Sequence, residues 1–367
     1  MARYHADAIR SCVQALLEGC GFPEARAEIS SDTLVEADLR GIYSHGINGL
    51  GLIIIPSIQA GGTVPDAKCI DTTRDKGLCI RHLDANGAPG HPTSRRAVEL
   101  VKRLARKHGM ARVFVYRANH FGAAGIYSEQ ISSDGDLEGR VYCTSSVHAS
   151  LPGSNQAALG TNPIAWSIPY TDGLVTIDMA TTVHSASGIC KAIRDGDTKL
   201  PFAVTDRDGN LTTDAKAFST PLDFLENGAI PHLGTCIDPI MGEKGNAYFK
   251  GMGLSMLVAL VCSTSGSPLT TCNACVNDER RQVVHMFEAS RIDTLFDKGN
   301  ALARLADSVR YFRQMGPEMK LPGEIEATER ARALRDGIPY SDEQITQLRQ
   351  LAKQLAPDAC CDLVPGE

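Results

Sequence analysis

From Ala111 onward the chain stops repeating with a helical period and breaks into short β-type pieces, ARVFVYRA, GRVYCTSS, NPIAWSIPY and LVTIDMA, each bounded by Gly, Asn, Pro or Asp. No other feature restricts the fold as much. A doubly wound parallel sheet needs a crossover helix between successive strands, whereas these strands are joined by short loops rich in Gly, Ser and Asn. The expected fold class is α/β of the α+β type, with a mostly antiparallel or mixed sheet. Asp208-Gly209-Asn210 sits in a hairpin-type turn, where Asp-Gly or Gly-Asn supplies the positive-φ positions.

Helical periodicity flanks the strands. Ile9, Cys12, Val13, Leu16 and Leu17 repeat at helical spacing over residues 6–20, and Gly21-Phe22-Pro23 stops them. Pro23 opens a second helix with Ile29, Leu34, Val35 and Leu39 on one side. Residues 50–59 read as a third helix, kinked or restarted at Pro56. Another is expected up to Gly109, with Thr93 or Ser94 as its N-cap and its arginines and lysines on a solvated face. Residues 248–262 are apolar nearly all round, which predicts a buried helix, and further helices are expected over 300–315, 324–336 and 341–355. The division predicted is a helical domain from 1–70 and 290–367, and a sheet domain over 71–289.

Composition narrows the partners. A chain of 367 residues with net charge -6 has the size for a sizeable core and no electrostatic case for nucleic acid. The run from Gly251 to Cys262 is short of the roughly 20 residues a membrane span requires. Twelve cysteines without an export signal at the N-terminus point to reduced thiols and a cytoplasmic setting. Neither Cys272-Asn273-Ala274-Cys275 nor Cys360-Cys361 has partners at zinc-binding spacing, so no metal is expected.

The chemistry centres on Asp38–Leu50, where Ser44-His45-Gly46 places an imidazole just past a helical pattern. With an unperturbed pKa of about 6.5, a histidine there can exchange a proton with a substrate. It reads equally as a helix-end histidine satisfied by hydrogen bonds. A dinucleotide fingerprint is missing, since Gly251-Met252-Gly253 lacks the third glycine, and Walker, HExxH and Gly-x-Ser-x-Gly patterns are absent too. Four polar stretches remain: Asn119–Gly125, where amides opening a helix are available to a phosphate; Leu159–Pro163; Asp178–Thr182; and Tyr248–Gly251 with Lys250. Taken singly, each is more often a structural turn than a site.

Taken together, ADLRG-x-x-SHG, NHFGAAG-x-Y, LGTNP-x-A, DMAT and Y-x-KG-x-GL, in this order, resemble the malate/L-lactate dehydrogenase type 2 family, whose relatives include ureidoglycolate dehydrogenase and the diketogulonate and piperideine-carboxylate reductases. The resemblance covers nearly the whole chain, including Leu321-Pro322-Gly323-Glu324 near its end. It implies an NAD(P)H-dependent oxidoreductase with a non-Rossmann cofactor domain, assembled as a homodimer. It also implies that His45 is the general acid/base and that Ser44, Asn48, Gly49 and His120 meet the substrate. His120, Gly122, Thr161, Asn162, Asp178, Met179, Ala180 and Lys250 then surround the cofactor.

Two positions depart from that pattern. Gly49 stands where the family carries an arginine that clamps a substrate carboxylate, and Tyr43 stands where it carries an aspartate. Glycine cannot supply a bidentate guanidinium, so the expected substrate is bulkier than malate or lactate, or lacks a free carboxylate beside the reacting carbon. Reduction of a cyclic imine and a non-catalytic, cofactor-binding role are the alternatives.

Overall fold

Apolar side chains at helical spacing form helices where the sequence puts them. In the computed structural model, α1 (Ala6–Gly19) buries Ile9, Cys12, Val13, Leu16 and Leu17, and α2 (Glu24–Leu39) starts directly after Pro23. A π-helical turn, Leu50–Ile54, runs into α3 (Ile55–Gln59) with Pro56 in its first turn, so the expected kink is realised as a change of helix type. Residues 1–151, 157–230, 248–266, 283–292, 297–358, 361 and 363–366 are described by the structure. The Cys272/Cys275 pair and Cys360 lie outside them.

Contacts between Cα atoms divide the chain into two units. Unit 1 comprises Met1–Val141, Ala165–Asp178 and Met286–Glu367; unit 2 comprises Tyr142–Ile164 and Met179–His285. This partition runs along other boundaries than 1–70 with 290–367 and 71–289.

In unit 1, β1 (Ala2–Tyr4) pairs antiparallel with β13 (Ile338–Tyr340), tying the two ends of the chain together. α1, α2 and the turn after them share one core with α10 (Glu324–Asp336) and α11 (Asp342–Leu355), centred on Leu16, Leu17, Leu34, Leu50 and Tyr340. Ser341 and Gln344 form a capping box at the start of α11, as Ser341-Asp342 predicts. Preceding these two helices is α9 (Lys298–Met315).

The unit is backed by a seven-stranded sheet, β2 (Ile70–Asp71), β3 (Ile80–Asp84), β4 (Met110–Ala118), β12 (Val283–Arg291), β5 (Leu137–Cys143), β8 (Ile164–Tyr170) and β9 (Gly173–Met179), in that spatial order. β2 is antiparallel and β4 parallel to β3, so the sheet is mixed. β12 was not legible as a strand: seven consecutive residues of it are buried, so it lacks the alternation of a half-exposed strand. α4 (Gly90–His108) begins four residues earlier than Thr93 as N-cap predicts. Pro89 precedes it, Thr93 lies inside the helix donating to the Pro89 carbonyl at 2.7 Å, and neither Thr93 nor Ser94 is the N-cap.

In unit 2, the short pairs β6 (Ala149–Ser150) with β7 (Ala157–Leu159), and β10 (Lys199–Thr205) with β11 (Leu211–Asp214), are antiparallel. The second pair closes through the Asp208-Gly209 turn, with Gly209 at φ +85°. α6 (Ala186–Arg194) and α7 (Pro221–Asn227) cover it around Ile189, Val204, Phe218 and Phe224. α8 (Tyr248–Ser263) departs from expectation. Its buried stripe, Gly251, Ser255, Val258, Ala259 and Cys262, is made of small residues, while Phe249, Met256, Leu257 and Leu260 are exposed along the other side. Uniform apolarity does not say which face is covered; close packing selected the small one.

Candidate active site

Each candidate is placed by the backbone leading to it. α2 ends in a Schellman arrangement, with Gly41 at φ +76° and the Ile42 N–H donating to the Ala37 carbonyl at 2.9 Å. The chain reverses there, and the His45 N–H donates to the Ile42 carbonyl at 2.9 Å. Beneath this turn lies Asp38, buried in the last helical turn of α2. Its Oδ2 accepts from the Ile47 N–H at 2.9 Å and from the Tyr340 hydroxyl at 2.8 Å. Its Oδ1 has no hydrogen-bond partner and lies 1.8 Å from where a Cβ on Gly46 would be, which is why Gly46 must be glycine. Burial pushes the Asp38 carboxyl up to about 7 against those two hydrogen bonds. Asp38 is the supporting residue that the sequence did not single out; a carboxylate on the side of α2 that carries Leu34 and Val35 was the available signal.

His45 is half-buried, and burial pushes its imidazole down to about 4. No carboxylate opposes that shift, in keeping with Tyr43 at the position where the family carries an aspartate. Nδ1 lies 2.8 Å from the Ser44 hydroxyl. With Nδ1–H donating to Ser44 Oγ, Nε2 is the bare nitrogen, able to take a proton. The ring stacks on His120 with centroids 5.5 Å apart and planes at 22°. His120 follows Asn119, a buried amide whose Nδ2 lies within 2.8–3.1 Å of the Gly62, Gly87 and Ala88 carbonyls. Its Nδ1 accepts from the Gly122 N–H at 3.4 Å.

The structure therefore brings together Ser44, His45, His120 and Gly122. Asn48 is close in sequence, but its amide is occupied by the Tyr43 carbonyl at 3.0 Å and Gln344 at 3.1 Å, so it braces the turn. Gly49 is buried in its backbone, and a Cβ there meets nothing within 4 Å. Also in unit 1, Asp178 accepts from the Gly125 N–H at 2.8 Å, the second residue of α5 (Ala124–Ser132). That amide, expected to be open to a phosphate, is taken by a carboxylate that caps the helix.

In unit 2 the Thr161-Asn162 turn is knit into its own surroundings. Asn162, at φ +37°, donates to the Ser255 carbonyl and hydroxyl, both at 3.1 Å. The Thr161 N–H donates to Ser145 Oγ at 2.8 Å, and its carbonyl accepts from the Thr181 N–H at 2.8 Å. Met179 is exposed and Ala180 half-buried. Lys250 is exposed in the first turn of α8, and that turn itself carries no acidic residue.

Among the described residues no group of three or more His, Cys, Asp or Glu is arranged to hold a metal, and no helix is long and apolar enough to cross a membrane. Among the described cysteines, Cys12, Cys20, Cys69, Cys79, Cys190 and Cys361 are free thiols.

Known proteins share this organisation. The sequence profile of the malate/L-lactate dehydrogenase family matches residues 4–349. L-sulfolactate dehydrogenase of Methanocaldococcus jannaschii is 29% identical over 349 residues, 93% of either chain. The 2,3-diketo-L-gulonate reductase of Pasteurella multocida is 25% identical over 94% of this chain and 98% of its own. The crystal structure of malate dehydrogenase from Entamoeba histolytica superposes with a TM-score of 0.85 at 24% identity, covering 96% of this chain and 98% of that one.

Proposed function

This chain belongs to the malate/L-lactate dehydrogenase family, and we propose that it moves a hydride and a proton to or from a carbonyl substrate of the 2-oxo/2-hydroxy acid type, with His45 as the acid/base. It is an oxidoreductase of the dehydrogenase/reductase class. The observation that carries the reading is the arrangement at His45: an imidazole oriented by Ser44 on a braced turn and stacked on a second imidazole.

A bound nicotinamide cofactor supplies or accepts the hydride. The exposed ammonium of Lys250, in a first helical turn that carries no acidic residue, would hold a phosphate of such a group. Thr161, Asn162, Met179 and Ala180 of the same unit, and His120, Gly122 and Asp178 of unit 1, are the other candidates that the family resemblance names. In oxidation, His45 Nε2 accepts the hydroxyl proton while Ser44 Oγ keeps the ring in place. In reduction, the imidazolium returns that proton as negative charge develops on the substrate oxygen, and that charge favours its protonated form.

Gly49 sets the substrate. The open space where a Cβ would stand, and the loss of a guanidinium with it, favour a substrate bulkier than malate or lactate, or one without a carboxylate beside the reacting carbon. NADH and NADPH oxidation with a panel of 2-oxo acids, larger dicarbonyl compounds and a cyclic imine tests this directly. Fast turnover of pyruvate or oxaloacetate removes the role given to Gly49, and turnover of the imine alone would favour C=N reduction. Failure to bind either cofactor in a calorimetric titration would leave a non-catalytic member.

The exposed stripe of Phe249, Met256, Leu257 and Leu260 supports a homodimer, because a stripe of large apolar residues is costly to leave in water. Free thiols support a reducing, cytoplasmic location.

A further inference from the structure

Unit 1 contains a small cavity of about 20 Å³, lined in part by Ser30, His91, Asn119 and His120. A single water needs about 10–15 Å³ and two to four polar partners. Several polar groups on its wall are engaged elsewhere: Ser57 and Thr63 hydroxyls meet at 2.8 Å, and Asn119 Nδ2 is committed to three carbonyls. Ser30 Oγ and His91 Nε2 are not. Both side chains are almost fully buried, at 1% and 2% exposure, and neither atom has a hydrogen-bond partner. The contrast along α2 is informative. Ser31 and Thr33 donate back to the Glu28 and Ile29 carbonyls at 2.9 and 2.8 Å, as hydroxyls inside helices do, whereas Ser30 forgoes that bond.

We propose that this cavity is the site of one ordered water bridging Ser30 Oγ and His91 Nε2, and that His91 is through it a positioning residue for the His120–His45 pair. The water donates to the bare Nε2 of His91 and accepts from the Ser30 hydroxyl, which satisfies both orphaned atoms. His91 Nε2 also lies 3.4 Å from where a Cβ on Gly122 would be, so the imidazole rests against the residue whose N–H meets His120 Nδ1. His91 and His120 share the cavity wall, and His120 stacks on His45. A fixed His91 therefore fixes the surface behind the reactive ring. The positioning role rests on His45 being the acid/base; the water site does not.

A high-resolution crystal structure of the wild-type protein should show density within about 2.7–3.2 Å of both atoms; a well-ordered cavity wall without it overturns the site. Ser30→Ala should lose the water, shift the ¹⁵N NMR titration of His120, and lower kcat about fivefold, the scale of one hydrogen bond, with KM little changed. His91→Phe should do the same, and His91→Gln, which restores a polar end, should recover part of the loss. Unchanged His120 titration and kcat in Ser30→Ala and His91→Phe overturn the positioning role. His45→Ala is measured alongside: if it remains active, the acid/base reading fails, and the density still decides the water.

Discussion

The turn carrying His45 and the turn carrying Asn162 are both short polar stretches flanked by glycine, and they are built in opposite ways. At Ser44-His45-Gly46 the support comes from outside the motif, from Asp38 one turn back on α2 and from Tyr340 some three hundred residues on. Of the motif's own side chains, only the Ser44 hydroxyl is engaged with His45, which leaves Nε2 for chemistry. At Thr161-Asn162 the motif is itself the support, its amide spent on Ser255 and its backbone on Ser145 and Thr181. The difference separates two kinds of motif residue, those that react and those that hold the backbone where a ligand can approach.

Four measurements can break or sharpen that distinction. Asp38 holds its proton to about 7 against an ordinary 3.8, so between those values the folded state binds more protons than the unfolded one. Stability should fall as pH rises through that window, by roughly 4 kcal/mol at most. Asp38→Asn, with its amide oxygen in the place of Oδ2, should unfold with a flatter pH profile than the wild type; identical slopes between pH 4 and 7 would mean that Asp38 is not the group that titrates in that window. Gly46→Ala drives a methyl into Asp38 Oδ1 and should cost about 3 kcal/mol in denaturant unfolding. A neutral result would show that the support can move aside.

His45→Ala should lower turnover at least about 100-fold while the thermal midpoint stays close to wild type. Near-normal turnover would return His45 to the bland role of a helix-end residue. Asn162→Ala should behave the other way, losing about 1–2 kcal/mol of stability because Ser255 loses its donor and the positive φ loses a tolerant residue. If instead its stability were unchanged and only cofactor KM rose, Asn162 would belong with the reacting residues.

Much of this was readable in the order of residues. Helical spacing located α1, α2, α9, α10 and α11, because a face that must be buried repeats with the helix period. Loop chemistry between strands excluded a doubly wound sheet, and Ser44-His45-Gly46 stood out because few other side chains titrate near neutrality. β12 and the exposed face of α8 were hidden, since a strand buried on both sides and a helix apolar all round have no period that reveals their neighbours. Local residue types, caps and turns thus determined which elements form and which side chains can do chemistry. Only the tertiary structure decided that Asp38 lies under Gly46, that Asp178 closes the start of α5, and that His120 faces His45. Each of those depends on side chains from separate elements meeting in space, and at Asp38, the most buried of them, the water-poor surroundings also set its protonation.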